Sequence, residues 1–385
     1  MSTPASPLSA TPPRRLLVRG VNWLGDAVMT TPALLRLRER FPAAEITLLT
    51  HEKLAGLWPG HPAIDRVLAF GAKEGAFAIA RRLRAGSFDL ALLLPNSPRS
   101  GFEAWLARIP RRVGGAWPWR DGLLTEVVPP APGAVKMRKR TVAEVKGLVA
   151  GKRQDPTLKA PIPPSSHQLF HYLRLVARLG GNPEPLPPRL AVSAGEVEAA
   201  REKFGLVAGP VWVGLNAGAE YGPAKRWPTE NFVVSAQELH RRLGCRFILF
   251  GGRADLATAE SIATELAARG VPRSSVPVLA GQTSLRELCA TLAACQVLLT
   301  NDTGPMHVAA ALGVPVVVPF GSTSPELTGP GLPGDPRHRL LRSGAECAPC
   351  FRRECPVDFR CMKGIATGRV VTAVLQTLER GGSPR

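Results

Sequence analysis

Four loops of this chain hold residues whose types could do chemistry. The first is Gly25-Asp26, at the end of an apolar run from Arg15 to Arg19 and the start of a helical pattern. A carboxylate there either caps the helix or acts as a general base toward a hydroxyl. The second is Asn216-Ala217-Gly218-Ala219-Glu220-Tyr221-Gly222-Pro223-Ala224-Lys225-Arg226-Trp227-Pro228. Its small residues let backbone approach a ligand, and Lys225 and Arg226 can neutralise phosphate. The Gly-x4-Gly-Lys-Ser/Thr spacing of a P-loop is absent. The third is Gly251-Gly252-Arg253-Ala254-Asp255, where Asp255 either accepts from a ribose hydroxyl or caps a helix. The fourth is Asn301-Asp302-Thr303-Gly304-Pro305-Met306-His307. Pro305 fits the first turn of a helix, where its missing N–H costs nothing, and Gly313 stops that helix. The amides of such an N-terminus suit a diphosphate. Asp302 argues against phosphate there, so it reads as a helix cap, and His307 reads as a packed histidine.

These loops need strands to carry them. Short apolar runs at Arg15 to Arg19, Glu45 to Thr50, Val67 to Phe70 and Phe88 to Leu94 alternate with helical spacing at Ala27 to Phe41 and Glu74 to Arg84. The alternation returns with strands at Val211 to Leu215, Arg246 to Phe250, Val297 to Leu299 and Val314 to Phe320. The helices between them are Pro228 to Leu243, a segment ending at Arg269, and Ser284 to Ala294. Strands alternating with helices imply parallel sheets with both faces covered. The expected fold class is α/β, with two Rossmann-like domains facing a cleft. Ligands of such sheets bind beyond the carboxyl ends of the strands, where the four loops lie. The stiff segment Asn182-Pro183-Glu184-Pro185-Leu186-Pro187-Pro188 is the candidate linker. The expected boundaries are a tail at 1–13, a first domain at 14–181 with a basic insertion at about 134–165, a linker at 182–189, a second domain at 190–366, and a helix with tail at 367–385.

The chain has 385 residues, 45% of them hydrophobic and 21% charged, as expected of a globular protein. A net charge of +19 and a sequence pI of about 10.6 favour polyanionic partners. Aromatic residues are only 6%, with two tyrosines, which does not fit a base-stacking platform for nucleic acid. No apolar run approaches the roughly 20 residues of a membrane span. The Ser/Thr/Pro/Ala-rich start lacks the pattern of a signal peptide, so it is expected to be a disordered tail of a cytoplasmic protein. Between 136 and 159 lie Lys136, Arg138, Lys139, Arg140, Lys146, Lys152, Arg153 and Lys159, against Glu144 and Asp155. This segment is either a solvated surface or a patch that grips an anionic acceptor, led by Lys136, Arg138, Lys139 and Arg140. Of seven cysteines, Cys245, Cys289 and Cys295 read as packed thiols. Cys347-x2-Cys350-x4-Cys355-x5-Cys361 is either a zinc knuckle or a set of reduced thiols. Reduced thiols and no metal are the expectation.

Three stretches together resemble the ADP-heptose:lipopolysaccharide heptosyltransferases of glycosyltransferase family nine. They are Asn22-Trp23-Leu24-Gly25-Asp26-Ala27-Val28-Met29-Thr30-Thr31-Pro32, Gly218 through Pro228, and Asn301 through Ala309, and the likeness runs from about Arg15 to about Ile365. Each motif is short, but their order and spacing are specific. The resemblance implies a GT-B fold and inverting, metal-free transfer of L-glycero-D-manno-heptose from ADP-heptose to the first heptose of the inner core. It makes Asp26 the base and Lys225 the group that binds the diphosphate and stabilises departing ADP. It places Gly218, Asp302, Thr303, Gly304 and His307 on the donor, with Asp302 facing sugar hydroxyls, and extends to Asp255 on the ribose. The implied partners are ADP-heptose and a phosphorylated lipid A–core acceptor at the inner membrane, with no cofactor. Transfer to another core position, or of another ADP-sugar, stays open. So does a different class, a non-catalytic basic protein that binds nucleic acid or a membrane surface.

Overall fold

A computed structural model describes residues 12–135, 137–152 and 161–381. The chain forms two compact units, one of residues 1–133 and 169–186, the other of residues 134–168 and 187–385. The basic segment expected inside the first domain therefore clusters with the second.

In the first unit β1 (Arg15–Arg19) leads into two helices, α1 (Leu24–Met29) and α2 (Thr31–Arg40). A single helix was expected from Ala27 to Phe41. Pro32 breaks it, because proline has no N–H to continue the ladder. The Thr30 and Thr31 hydroxyls bond back to the carbonyls of Ala27 and Val28 at 2.6 and 2.8 Å, which closes the first helix. Next come β2 (Glu45–His51), β3 (Arg66–Phe70), α3 (Ala76–Ala85), β4 (Leu90–Leu93), α4 (Pro98–Leu106), β5 (Arg111–Gly115) and β6 (Glu126–Val128). The chain makes α5 (Val142–Val149) within the second unit and returns through α6 (Gln168–Ala177). The six strands are all parallel, in the order β3-β2-β1-β4-β5-β6. β1 pairs with both β2 and β4, so the strand order reverses beside it. All four residues of β4, Leu-Ala-Leu-Leu, are buried, as a parallel strand covered on both faces requires.

Arg19 and Glu103 pin β1 to α4. Their ion pair measures 2.9 Å and both side chains are nearly sealed from water. Arg19 also donates to the Gly20 carbonyl at 2.7 Å and lies 4.4 Å over the Phe70 ring. This fixes the strand end from which the Asp26 loop springs.

The second unit contains α7 (Ala194–Phe204), β7 (Trp212–Asn216), α8 (Thr229–Leu243), β8 (Arg246–Leu249), α9 (Leu256–Ala268), α10 (Leu285–Ala293), β9 (Val297–Thr300), α11 (Gly304–Ala311), β10 (Val316–Pro319), α12 (Pro325–Thr328), β11 (Arg339–Leu341), α13 (Arg360–Lys363) and α14 (Thr367–Gly381). Its five parallel strands run β11-β10-β9-β7-β8. Gly205 closes α7 and Gly244 closes α8 in left-handed conformation, the usual helix stop. Val213, Leu215, Phe247, Leu249, Val297 and Leu299 meet Phe232, Val233 and Leu239 of α8 in the core. Among the described residues no helix is long and apolar enough to cross a membrane.

Candidate active site

The order of the second sheet reverses between β7 and β9, and this is where a doubly wound sheet opens a crevice at its carboxyl edge. The loops after these two strands hold the second and fourth sequence motifs. Asn301 binds them together. Its side-chain amide donates to the Ala217 carbonyl at 2.7 Å and its oxygen accepts from the Trp227 N–H at 2.9 Å. Asn216 does the same one step lower, donating to the Thr300 hydroxyl at 3.1 Å. Trp227 is fully buried and anchors the far end of its loop by donating to the Ile365 carbonyl at 3.1 Å.

These tethers bring Lys225 and Asp302 together. Lys225 Nζ lies 2.7 Å from Asp302 Oδ2, with side-chain exposures of 14% and 5%. The Thr323 hydroxyl donates to the same carboxylate oxygen at 2.5 Å from the loop after β10. Asp302 is therefore held by a cation and a hydroxyl, and the helix cap is Thr303. Thr303 and Gly304 remain half-exposed at the mouth of α11, where partial positive charge gathers. Lys225 also lies 4.9 Å over the Tyr221 ring, whose other cationic neighbour, Arg353, is 5.2 Å from the ring centre.

His307 is buried in α11, as the packed reading expected. Burial lowers its pKa to about 4 against the pull of Asp302, so the imidazole is neutral at physiological pH. It sits close enough to Asp302 and Lys225 to feel both charges. Asp255 accepts from the Gly252 N–H at 3.0 Å and lies 3.7 Å from Arg226. A Cβ on Gly218 would sit 2.5 Å from the Asp255 carboxylate, so only glycine lets the two loops meet.

In the first unit Asp26 lies half-buried in the first turn of α1. The cap of that helix is Trp23, which corrects the reading of Asp26 as N-cap. A carboxylate in the first turn is stabilised by the helix dipole. The position is beside the reversal of the first sheet, at the carboxyl end of β1.

The basic segment divides. Lys136 lies outside the described residues, as do Arg153 and Lys159. Lys139 is exposed, and Arg138 is ion-paired with Glu144 at 2.8 Å. Arg140 is buried. Its Nε donates to the Pro349 carbonyl at 3.1 Å and its N–H to the Cys350 carbonyl at 2.9 Å, so its visible contacts secure the segment to the cysteine loop.

That loop supports the site. The Cys350 and Phe351 N–H groups donate to the Ser322 carbonyl at 3.1 and 2.7 Å, and Ala224 N–H donates to the Arg353 carbonyl at 2.9 Å. Tyr221 donates its hydroxyl proton to the Phe351 carbonyl at 2.8 Å. Gly222, at φ +146, has no room for a side chain against Arg353. Burial raises the Cys347 and Cys350 pKa values and pushes Cys361 up to about 12, so these thiols stay protonated. Among the described residues no group of three or more His, Cys, Asp or Glu side chains is arranged to hold a metal ion.

Sequence reasoning missed Asn301 and Thr323 as site residues. Asn301 had a legible signal, an amide at the end of a buried strand with no other role. Thr323 had none, since its partner is 21 residues away.

The family model for glycosyltransferase family 9 (heptosyltransferase) matches residues 153–359. Lipopolysaccharide heptosyltransferase 2 of Salmonella typhimurium is 31% identical over 324 residues, covering 82% of this chain and 85% of that protein. The protein of the same description from Escherichia coli K12 is 31% identical over 325 residues, with the same coverage. The solved structure of E. coli ADP-heptose lps heptosyltransferase II superposes with a TM-score of 0.75 at 26% identity, covering 95% of this chain and 99% of that one. The fold class is α/β of the GT-B type, with two Rossmann-like units. The chain belongs to glycosyltransferase family 9, the heptosyltransferases.

Proposed function

We propose that this heptosyltransferase moves L-glycero-D-manno-heptose from ADP-heptose to the first heptose of a lipopolysaccharide inner core. The observation that carries the donor half is the Lys225–Asp302 pair at the reversal of the second sheet, within the matched family region. The described relatives named heptosyltransferase 2 support the acceptor position.

In this reading the acceptor hydroxyl oxygen forms a bond to the anomeric carbon as the bond from that carbon to the ADP oxygen breaks, with inversion. Asp26 takes the hydroxyl proton. A sugar hydroxyl is a poor nucleophile, and a carboxylate within hydrogen-bond reach helps as bond formation proceeds. The pair of electrons leaves with ADP, and Lys225 with the α11 N-terminus meets the charge that develops there. Asp302 then orients sugar hydroxyls, Gly218 permits close approach, and Asp255 takes the ribose. His307, neutral, keeps a hydrogen-bonding nitrogen near the donor without adding charge. Fixed cations and helix amides supply what a metal would, so turnover continues in chelator. The protein works at the cytoplasmic face of the inner membrane, where its lipid-linked acceptor lies, and nucleic acid is not a partner.

Calorimetry with ADP tests the donor half. Saturable binding that Lys225→Met weakens at least tenfold is expected. Equal binding by wild type and variant, or none by either, would remove the basis for the assignment.

A further inference from the structure

The helices α3 and α4 carry aromatic side chains on the faces turned away from their own core. In α3 the buried residues are Ile79, Ala80 and Leu83, while Phe77 is 72% exposed. In α4 the buried residues are Ser100, Gly101, Glu103 and Ala104, while Trp105 is 47% exposed. Phe102 joins them. Its ring is 5.9 Å from Phe77, edge to face, and 5.9 Å from Trp105, stacked. Three rings thus form one continuous ridge across two helices. Exposed contiguous apolar surface on a globular protein marks a place of contact.

The rim of this ridge is cationic. Arg81 and Arg84 follow Phe77 along α3 at helical spacing, and Arg108 follows Trp105 just past α4. All three are exposed. Arg84 reaches the Leu106 carbonyl at 2.5 Å, which ties its end of α3 to the end of α4. Among the described residues Arg81 and Arg108 have no ion-pair partner. The acids nearby are already engaged, Glu74 with Arg82 at 2.7 Å and Glu103 with Arg19 and Arg99 at 2.9 and 2.7 Å. Neither helix holds another acidic residue.

We propose that the Phe77–Phe102–Trp105 ridge with its Arg81, Arg84 and Arg108 rim is the surface by which this protein docks on an anionic phospholipid membrane. The amphipathic indole of Trp105 suits the headgroup level, the apolar rings of Phe77 and Phe102 suit the boundary with the acyl chains, and arginines beside them meet lipid phosphates. Charge selects this occupant. A second copy of a chain with net charge +19 would bring like charges face to face. A nucleic-acid platform needs free ring faces, whereas Phe102 and Trp105 lie against each other with 19° between their planes. The inference rests on the proposed lipid-linked acceptor only for its biological setting. The surface itself is argued from the side chains.

The test is co-sedimentation of the full-length protein with phosphatidylcholine vesicles, with and without phosphatidylglycerol, free of lipopolysaccharide and of nucleotide. Wild type is expected to bind the anionic vesicles. R81E/R108E is expected to bind at least on the order of thirty-fold less, from roughly a factor of five for each cation removed near such a surface, with the added carboxylates repelled as well. F77S/W105S is expected to lose the binding that persists at high salt. R380E/K363E, matched in charge and placed elsewhere, is expected to bind like wild type, and all variants should keep wild-type turnover on a detergent-free soluble acceptor. Equal losses in the matched control and the patch variant would reduce the effect to net charge and overturn the proposal. So would unchanged vesicle binding by F77S/W105S accompanied by a change in oligomeric state, which would assign the ridge to self-association. Because the vesicles carry no donor or acceptor, failure here leaves the transferase assay unaffected, and failure of that assay leaves the docking result intact.

Discussion

Replacing Lys225 with methionine removes the ammonium and keeps much of the side-chain volume. At 2.7 Å the Lys225–Asp302 attraction is about 6 kcal/mol for an effective dielectric constant of about 20. Desolvation of both groups cancels a large part of that. What Lys225→Met leaves is a nearly sealed carboxylate that still accepts from the Thr323 hydroxyl but has lost its cation. Breaking one side of a buried ion pair costs about 3–5 kcal/mol. Asp302→Asn should cost less, since Lys225 retains some contact with water. The double variant, with neither charge, should recover most of the loss, for a coupling energy of about 2–3 kcal/mol. Urea denaturation of the four proteins measures this cycle. Turnover measured in parallel separates structure from chemistry. Both single variants and the double should lose roughly 10²–10³ in kcat, because the charge that meets the leaving group is gone in one case and misdirected in the other. A Lys225→Met stability within about 0.5 kcal/mol of wild type would show that the pair is solvated and refute the reasoning. A double variant with wild-type turnover would refute the catalytic role.

Three further outcomes are expected. Asp26→Asn should lower kcat by roughly 10²–10⁴ with donor affinity unchanged, and steady-state kinetics with a calorimetric control would show otherwise if turnover held. Gly218→Ala should lose roughly 1–3 kcal/mol of stability and weaken ADP binding, because the new methyl group meets the Asp255 carboxylate at 2.5 Å; calorimetry and thermal melting read both. His307 has a pKa of about 4 when folded against 6.5 when unfolded. The unfolded chain binds the extra proton between those values, so stability is full above pH 6.5 and falls as pH drops toward 4, by up to roughly 3 kcal/mol. His307→Gln should flatten that part of the pH–stability curve, and an unaltered slope would place the proton elsewhere.

Much of the fold was legible because parallel strands buried on both faces are nearly continuous apolar runs. β1 and the cores of β2, β7 and β9 stand where Leu, Val and Ile said they would. The short strands β5 and β6 were not legible. Arg111-Arg112 opens β5 and Glu126 opens β6, and these polar residues pair with each other across the strands at Arg111–Glu126. The break between α1 and α2 was present in Pro32 but masked by helical spacing on both sides. At the site, chemistry was legible in residues whose type is unusual for their place, such as Lys225 among small residues and Asp302 before a helix. Their contact was not legible, because 77 residues separate them (302 − 225) and only the β7–β9 pairing closes the distance. The cysteine cluster illustrates the converse. Its spacing left a zinc knuckle or reduced thiols open, with reduced thiols expected, and carried no sign that the backbone of the same loop, through Phe351 and Arg353, buttresses Tyr221 and Ala224.

The central claim is tested most directly by product analysis. The purified protein is incubated with ADP-heptose, in chelator, and with core acceptors that end either before or after the first heptose. The account predicts one added heptose and one released ADP on the one-heptose acceptor, with the heptose-free acceptor unchanged. Transfer to the heptose-free core, or no transfer to either acceptor by protein that binds ADP, would contradict it.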